Sequence, residues 1–340
     1  MISFQKLTTG YFKRSRPVLV SSGISASAQR GELVALIGLN GTGKSTLLRT
    51  LAALQPPLDG KILLENKKLR TFTSENLSRT IAFVSSSRAR SSAVKVREMV
   101  ELGRYPYTNW LGSLTSDDEN KVMEALVRVN AIHLADQPLD QISDGEFQRV
   151  HIARALCQDT PVILLDEPTA FLDVVNRYEI IVLLRDLCRL KNKTILFSTH
   201  DWSAALQLAD RIWYLYEDTL TEGAPEDILM TGQLDAHFNG KDFYVNPETG
   251  QIHFTEHAMY QVALDHAAAS NAWLMKAMKR AGIVHIPRAQ LSVAFHENQW
   301  KLTYGENCST YHSILELINA IRRISLEMLP DGISKEDVLY

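Results

Sequence analysis

The chain of 340 residues has few cysteines, little net charge and no long hydrophobic run. Its three cysteines, Cys157, Cys188 and Cys308, are far apart and lack the spacing of metal ligands, so we expect reduced core residues. A net charge of −3 gives no general attraction to nucleic acid. No apolar run approaches the roughly 18 residues that span a bilayer. Direct insertion is therefore not expected, and a membrane role would require a partner.

A glycine-rich segment, here called the phosphate loop, matches the pattern G-x-x-x-x-G-K-[ST]. It consists of Gly38, Leu39, Asn40, Gly41, Thr42, Gly43, Lys44 and Ser45. The apolar run 33–37 precedes it, and a helical pattern with Leu47, Leu48, Leu51 and Leu54 on one face follows. Strand, loop and helix in this order predict a nucleoside-triphosphate site, because backbone amides and the positive helix end then surround the phosphates.

Several side chains of this segment have expected roles. Lys44 should reach the β- and γ-phosphates, and the Ser45 hydroxyl should bind Mg²⁺. Asn40, Thr42 and Thr46 are expected to contribute to the same nucleotide site. The first prediction from sequence is therefore a binding site for ATP with Mg²⁺.

Two later apolar strands end in ionisable residues. Residues 162–165 are followed by Asp166 and Glu167, and residues 194–199 are followed by His200. We expect Asp166 to hold the Mg²⁺ shell and Glu167 to orient and deprotonate the attacking water. His200 is expected to donate to the γ-phosphate and to hold Glu167 in line. With Lys44, these residues form the predicted catalytic set.

The alternation of helices and short strands after residue 142 predicts an α/β fold with a mixed, mainly parallel sheet. We expect a β-rich N-terminal part and an inserted helical subdomain at about residues 94–158. Near residue 240 the pattern changes to a hairpin around 246–250, a helix, two strands and a last helix. This predicts a P-loop NTPase domain at 1–238 and a small α+β domain at 239–340, for which we expect a regulatory or dimerising role.

The segment Ile142 to Val150 opens a helix, and Ser143 with Glu146 fits a capping box that requires no function. The segment also resembles the signature motif of the ATP-binding cassette (ABC) family. The resemblance implies that Ser143, Gly145 and Glu146 meet the nucleotide bound by a second subunit. Residues 170–173, which end in Asp173, resemble the family's D-loop. Tyr11 occupies the position of an aromatic residue that stacks on adenine.

This resemblance covers residues 1 to about 235, and it implies an ATPase that works as a homodimer with ATP at the joint. Residues 96–107 resemble the segment of cassettes that serve iron-siderophore, haem and cobalamin importers. The implied partners are multi-span permease subunits and, indirectly, a substrate-binding protein. The implied location is peripheral, on the cytoplasmic face of the inner (plasma) membrane.

Two departures from the family pattern leave alternatives open. Ser86 stands where the family has a glutamine that contacts Mg²⁺, and Asp144 replaces the first signature glycine. Serine reaches less far, so its contact with the metal would be weaker or mediated by water. A carboxylate near a γ-phosphate would be repelled, so we expect Asp144 to point away. The alternatives are a soluble ABC ATPase without a transport role and a regulatory module that binds ATP but turns over slowly.

Overall fold

The structure is a computed structural model that describes residues 1–14, 16–85, 94–109, 112–170, 172–233, 243–246, 250–254 and 258–327. Backbone contacts divide the chain into two compact units. The first comprises Met1–Asn239 and Val245–Gln251, and the second comprises Gly240–Tyr244 and Ile252–Tyr340. Among the described residues, no helix has the length and apolar character needed to cross a bilayer.

The first unit contains two sheets and the helices that cover them. Its strands are β1 (Ile2–Lys13), β2 (Arg16–Ala28), β3 (Leu33–Ile37), β4 (Asp59–Leu64), β5 (Lys67–Lys68), β6 (Ile81–Val84), β7 (Val162–Leu165), β8 (Thr194–Thr199), β9 (Arg211–Tyr216) and β10 (Thr219–Gly223). Its helices are α1 (Lys44–Leu51), α2 (Ser74–Ser78), α3 (Val96–Glu101), α4 (Ser116–Arg128), α5 (Asp144–Cys157), α6 (Val174–Lys191), α7 (Trp202–Leu208) and α8 (Pro225–Met230).

The central sheet has the order β10-β9-β3-β8-β7-β6, and all neighbours are parallel except β10 with β9. Strands β3, β7 and β8 are buried along their whole length, which explains the continuous apolar sequences of β3 and β7 and the apolar centre of β8. The carboxyl ends of parallel strands meet at one edge of a sheet. The loops that follow β3, β7 and β8 therefore lie side by side.

The β-rich N-terminal part forms an antiparallel sheet of order β2-β1-β4-β5. Its inner face joins the core of the central sheet. There the rings of Phe4 and Trp213 are nearly perpendicular, with 5.3 Å between their centroids. The predicted mixed, mainly parallel α/β fold with a β-rich N-terminal part is confirmed.

Helices α3, α4 and α5 stand between β6 and β7 in the chain. The apolar stripe of α5, which includes Phe147 and Val150, is buried. A short 3-10 helix, Leu102–Tyr107, follows α3 and carries Arg104, whose guanidinium donates to the Asp118 carboxylate at 2.7 Å. Both side chains are almost fully buried. The pair therefore joins this segment to α4.

The second unit is α+β, as its sequence predicts. Its strands are β11 (Phe243–Val245), β12 (Ile252–Phe254), β13 (Tyr260–Leu264), β14 (Ile283–His285), β15 (Leu291–His296), β16 (Gln299–Tyr304) and β17 (Asn307–Tyr311). Its helices are α9 (His266–Ala269), α10 (Ala272–Arg280) and α11 (Ile314–Glu327). Strands β11 and β12 form a hairpin, and the other strands form a sheet of order β14-β13-β15-β16-β17. Its core contains Leu274, Trp300 and Leu317.

Two details of the sequence prediction are wrong. Leu54 was expected on the buried face of the first helix, but α1 ends at Leu51 and Leu54 is exposed. The left-handed backbone of Ala53 turns the chain away before Leu54 can reach the core. Cys157 and Cys188 are buried as expected, whereas Cys308 is exposed because it lies on the edge strand β17.

Candidate nucleotide-binding site

The phosphate loop connects β3 to α1, and its glycines are required by geometry. Gly41 and Gly43 have left-handed backbone angles, with φ of 82° and 98°. A Cβ atom on Gly43 would lie 2.2 Å from Val20 Cγ1, and one on Gly38 would lie 2.4 Å from the Leu215 carbonyl oxygen. Only residues without a side chain fit these positions. The loop therefore has the backbone shape that a phosphate cradle needs.

Lys44 is buried at the base of the loop. Its Nζ atom donates to the carbonyl oxygens of Gly38 at 3.0 Å and Leu39 at 2.8 Å, and it lies 3.5 Å from His200 Nδ1. Burial lowers the pKa of Lys44, although the charges of Glu167 and Asp166 partly oppose this. A bound polyphosphate would supply the anionic partner that favours the charged ammonium.

Asp166 follows β7, and its Oδ1 atom accepts two hydroxyl hydrogen bonds. One comes from Ser45 and one from Ser198, each at 2.9 Å. Ser198 also accepts a hydrogen bond from the backbone amide of Glu167 at 2.8 Å. Ser198 was not singled out in the sequence, although a hydroxyl within a buried apolar strand is a usable signal. It fixes both acidic residues relative to β8.

Glu167 and His200 are in direct contact, with 2.5 Å between Oε1 and Nε2. Glu167 has a left-handed backbone angle, φ of 51°, which is costly for a residue with a side chain. The strained turn directs the carboxylate towards the histidine that follows the neighbouring strand β8. Both side chains are partly exposed, so water can reach them.

Two adjoining cavities are lined by many of the predicted residues of this site, although Gly38, Thr42 and Asp166 line neither. The first is lined by Tyr11, Val18, Leu19, Val20, Asn40, Gly41, Gly43, Lys44, Ser45, Thr46 and Glu167. The second is lined by Asn40, Glu167, Thr169, Ala170, Arg177, Thr199, His200 and Asp201. They share Asn40 and Glu167. Tyr11 is half exposed on β1, opposite Val18, and presents an aromatic ring at the mouth of the first cavity.

The predicted signature residues lie elsewhere. Ser143 caps α5: its Oγ accepts from the Glu146 amide at 3.3 Å and donates to Glu146 Oε2 at 2.7 Å. The hydrogen bonds that the Ser143 hydroxyl and the Ser143 backbone amide donate to the Glu146 carboxylate lower the pKa of Glu146. Gly145 lies beside Asn176 near the start of α6, which Asp173 caps. Ser143, Gly145, Glu146 and Asp173 line neither cavity.

Two further predicted site residues are Thr42 and Ser86. The Thr42 hydroxyl donates to the Leu39 carbonyl oxygen at 2.9 Å, which tightens the phosphate loop. Ser86, the predicted third metal-contacting residue, lies outside the described residues. Within the part of the chain that the structure describes, no cluster of three or more His, Cys, Asp or Glu side chains could hold a metal ion. A metal at this site would therefore also depend on hydroxyl, phosphate and water oxygens.

Comparisons with known proteins show the family. Residues 21–170 match the family model for ABC transporters. The chain is 37% identical over 239 residues to the achromobactin transport ATP-binding protein of Dickeya dadantii. The aligned residues cover 70% of this chain and 87% of that protein. It is 34% identical over 226 residues to the ferric enterobactin transport ATP-binding protein of Escherichia coli, covering 66% and 82%.

The fold is also similar to a solved ATP-binding cassette in a dimeric, post-hydrolysis state bound to ADP and phosphate. That similarity has a TM-score of 0.59 at 27% identity and covers 66% of this chain and 99% of the other. The chain belongs to the ABC transporter family of ATP-binding proteins. It is an ATP-binding, ATP-hydrolysing transport subunit, as its sequence predicts.

Proposed function

We propose that this chain hydrolyses ATP to drive uptake of an iron-siderophore, haem or cobalamin-like compound through a membrane permease. The observation that carries the proposal is the contact between Glu167 and His200 beside the Ser45–Asp166 pair. A carboxylate and an imidazole next to a phosphate cradle are suited to activating water against a γ-phosphate.

Each side chain has a proposed role in this reaction. Lys44 binds the β- and γ-phosphates, and the Tyr11 ring stacks on adenine. Ser45 and Asp166 hold Mg²⁺, since their oxygen atoms already lie 2.9 Å apart and oxygen is the ligand that this ion prefers. The bound ion would neutralise phosphate charge. Glu167 accepts the proton of the attacking water, and His200 keeps Glu167 and the γ-phosphate aligned.

The working state that we propose is a homodimer with two ATP molecules at the joint. The signature turn, Ser143 to Gly145, would then meet the phosphates bound by the other copy. This is supported by the capped, outward position of Ser143 at the start of α5, where the helix dipole favours an anion. Asp173, at the start of α6, would lie near the same joint. ATP would favour closure and hydrolysis would favour opening.

The permease is proposed to dock on the segment from α3 to Tyr107. Leu102 and Tyr105 are 55% and 74% exposed there, although they flank the buried Arg104. Large exposed apolar side chains on a firmly held segment are suited to a protein partner. The names of the relatives, which specify transport of achromobactin and of ferric enterobactin, support an importer of metal chelates. We propose with it a location on the cytoplasmic face of the membrane. The second unit, within residues 239–340, is proposed to regulate the dimer or to stabilise it.

The proposal is tested with the purified full-length chain and with a complex formed with its permease. We expect Mg²⁺-dependent ATP hydrolysis that Glu167→Gln lowers by about 10²-fold or more, with ATP still bound. Glu226→Gln, in an exposed residue of α8, should hydrolyse ATP at the parent rate. Chelate uptake by vesicles that contain the complex should require an intact Glu167. ATP hydrolysis without uptake would favour the soluble ATPase, and binding with little turnover would favour the regulatory module.

A further inference from the structure

The first turn of α6 is connected to the loop that carries His200. The Arg177 guanidinium donates from Nη1 to Asp201 Oδ2 at 2.8 Å and from Nη2 to the Leu172 carbonyl oxygen at 3.3 Å. Asp201 directly follows His200, and its Oδ1 atom caps α7 through the amide of Ala204 at 3.0 Å. One planar guanidinium therefore ties the D-loop backbone to the turn that positions the histidine.

The preceding residue, Asn176, is connected to the signature helix α5. Its Nδ2 atom donates to Asp173 Oδ2 at 2.6 Å, and its Oδ1 atom accepts from Arg149 Nη2 at 3.2 Å. The same Arg149 guanidinium also forms an ion pair with Glu179 on α6. Helix α5 is thus held against the start of α6 by a charged side chain with several partners.

The signature turn itself lies beside this place. A Cβ atom added to Gly145 would lie 3.7 Å from Leu172 Cδ2 and 3.8 Å from Asn176 Cγ. These are ordinary van der Waals distances, so the turn faces the D-loop across the space of one side-chain atom. A displacement of the signature helix would be passed to Asn176 through the hydrogen bond from Arg149.

We infer that Asn176 and Arg177 form a relay that makes the position of His200 depend on how the signature turn and Asp173 are docked. The two residues are consecutive on one helix, so they move together, while their side chains reach α5 on one side and the His200 loop on the other. Arg177 lines the second cavity together with Glu167 and His200, but its guanidinium is engaged by Asp201 and by the Leu172 carbonyl oxygen, so we assign it to positioning. Asn176 and Arg177 are both positioning residues.

This inference rests on the proposed dimer, because the signature turn and Asp173 dock on a second copy only there. Docking at one nucleotide would then change the alignment of His200 at the other nucleotide of the pair. The relay thus predicts that ATP hydrolysis by the two sites is cooperative. A purely structural role of Arg177 would lower stability without changing cooperativity.

The test uses the full-length chain with Arg177→Met, Arg177→Lys and the control Arg189→Met. Arg189 lies on the same helix, is exposed and is remote from the cavities, so it matches the change in charge and length. Steady-state hydrolysis gives kcat, KM and the Hill coefficient. ATP affinity and ATP-dependent pairing are measured in the Glu167→Gln background, by equilibrium dialysis and by sedimentation.

We expect Arg177→Met to lower kcat about tenfold or more and to bring the Hill coefficient close to 1, with ATP affinity changed less than about twofold. Arg177→Lys should recover part of the rate, because it keeps one charged donor but cannot bridge both acceptors. Arg189→Met should equal the parent in every measurement. Combining Arg177→Met with Asp201→Asn should add little further loss, because both changes break the same contact.

Hydrogen exchange provides a second readout in the nucleotide-free chain. Arg177→Met should speed amide exchange in residues 199–206, and Arg189→Met should not. The relay is overturned if Arg177→Met keeps the parent kcat and Hill coefficient. It is also overturned if a smaller fraction of folded protein fully explains the fall in kcat. If the Glu167→Gln parent does not pair with ATP, the proposed dimer fails and the relay fails with it. Pairing in the parent with unchanged Arg177→Met kinetics refutes the relay alone.

Discussion

His200 Nε2 lies 2.5 Å from Glu167 Oε1, although the two residues are separated by an entire helix in the chain. They meet because β7 and β8 are parallel neighbours and both residues lie just beyond the carboxyl ends of these strands. His200 directly follows β8, and Glu167 is the second residue after β7. The contact orients a carboxylate that is otherwise free to rotate. We therefore expect it to affect catalysis more than binding.

Replacing His200 with alanine tests this expectation. His200→Ala should lower kcat by about 10²-fold and leave KM within a few-fold, because alignment in the transition state is lost while the phosphate loop is intact. Steady-state ATP hydrolysis at saturating ATP measures the effect. His133→Ala, in an exposed histidine, is the control. A His200→Ala variant with parent kcat would contradict the role of this contact.

Replacing Lys44 with methionine tests its role in ATP binding and its effect on the pH dependence of stability. ATP affinity should fall at least tenfold, because charged hydrogen bonds contribute about 1.5–3 kcal/mol. Burial lowers the folded-state pKa of Lys44 below the ordinary value of 10.5. The unfolded chain therefore binds more protons in that range, and parent stability should rise with pH up to about 10.5. The variant should lack this rise, and MgATP should not raise its melting temperature. A parent-like shift with MgATP would refute the assignment.

His151 predicts a loss of stability in mild acid. It is mostly buried against Phe147 on α5, its Nε2 atom has no partner among the described residues, and burial lowers its pKa to about 4. The unfolded chain takes up this proton near pH 6.5, so stability should fall by up to about 3 kcal/mol between pH 6.5 and 4.

Urea unfolding across this pH range measures that effect. His151→Leu should flatten the dependence, whereas His133→Leu, in an exposed histidine, should leave it unchanged. Equal acid sensitivity of His151→Leu and the parent would show that other groups are responsible.

The Arg104–Asp118 pair should dominate the stability of the helical segment. Asp118→Ala leaves a buried guanidinium without its charged partner, so we expect a loss of about 3–5 kcal/mol. The same change at the exposed neighbour Asp117 should cost less than about 0.5 kcal/mol. Urea unfolding compares the two. Similar losses for both variants would mean that the buried pair is replaced by water or by local rearrangement.

Most of the fold of the first unit could be predicted because its signals are local. The strands β3 and β7 are continuous apolar runs, and β8 has three consecutive apolar residues at its centre. The Ser143–Glu146 capping box is a four-residue pattern whose hydrogen bonds the structure contains. In the second unit, the strands β13, β14 and β17 and the four-residue helix α9 escaped prediction. Strand β14 has only three residues, and β17 is a polar edge strand whose side chains are mostly exposed, so neither has an apolar alternation.

The residues that hold the site together were harder to find. Ser198 and Arg177 are not the defining residues of any sequence motif. Arg104 lies in a segment whose sequence is also compatible with an ordinary helix end. Their importance comes from partners that are distant in the chain: Asp166, Asp201 and Asp118. The exposure of Leu54 was missed because a left-handed residue at position 53 has no clear sequence signal when it is alanine.

The sequence by itself determined the phosphate loop, because its glycines are the only residues that its backbone angles and close contacts allow. It also determined the order of the elements and the residue types available for phosphate and water. Only the tertiary structure decided which side chains meet. The strand order β10-β9-β3-β8-β7-β6 differs from the chain order, and this order brings Ser198 to Asp166 and His200 to Glu167. Such contacts depend on strand register and helix packing, which many distant residues set together.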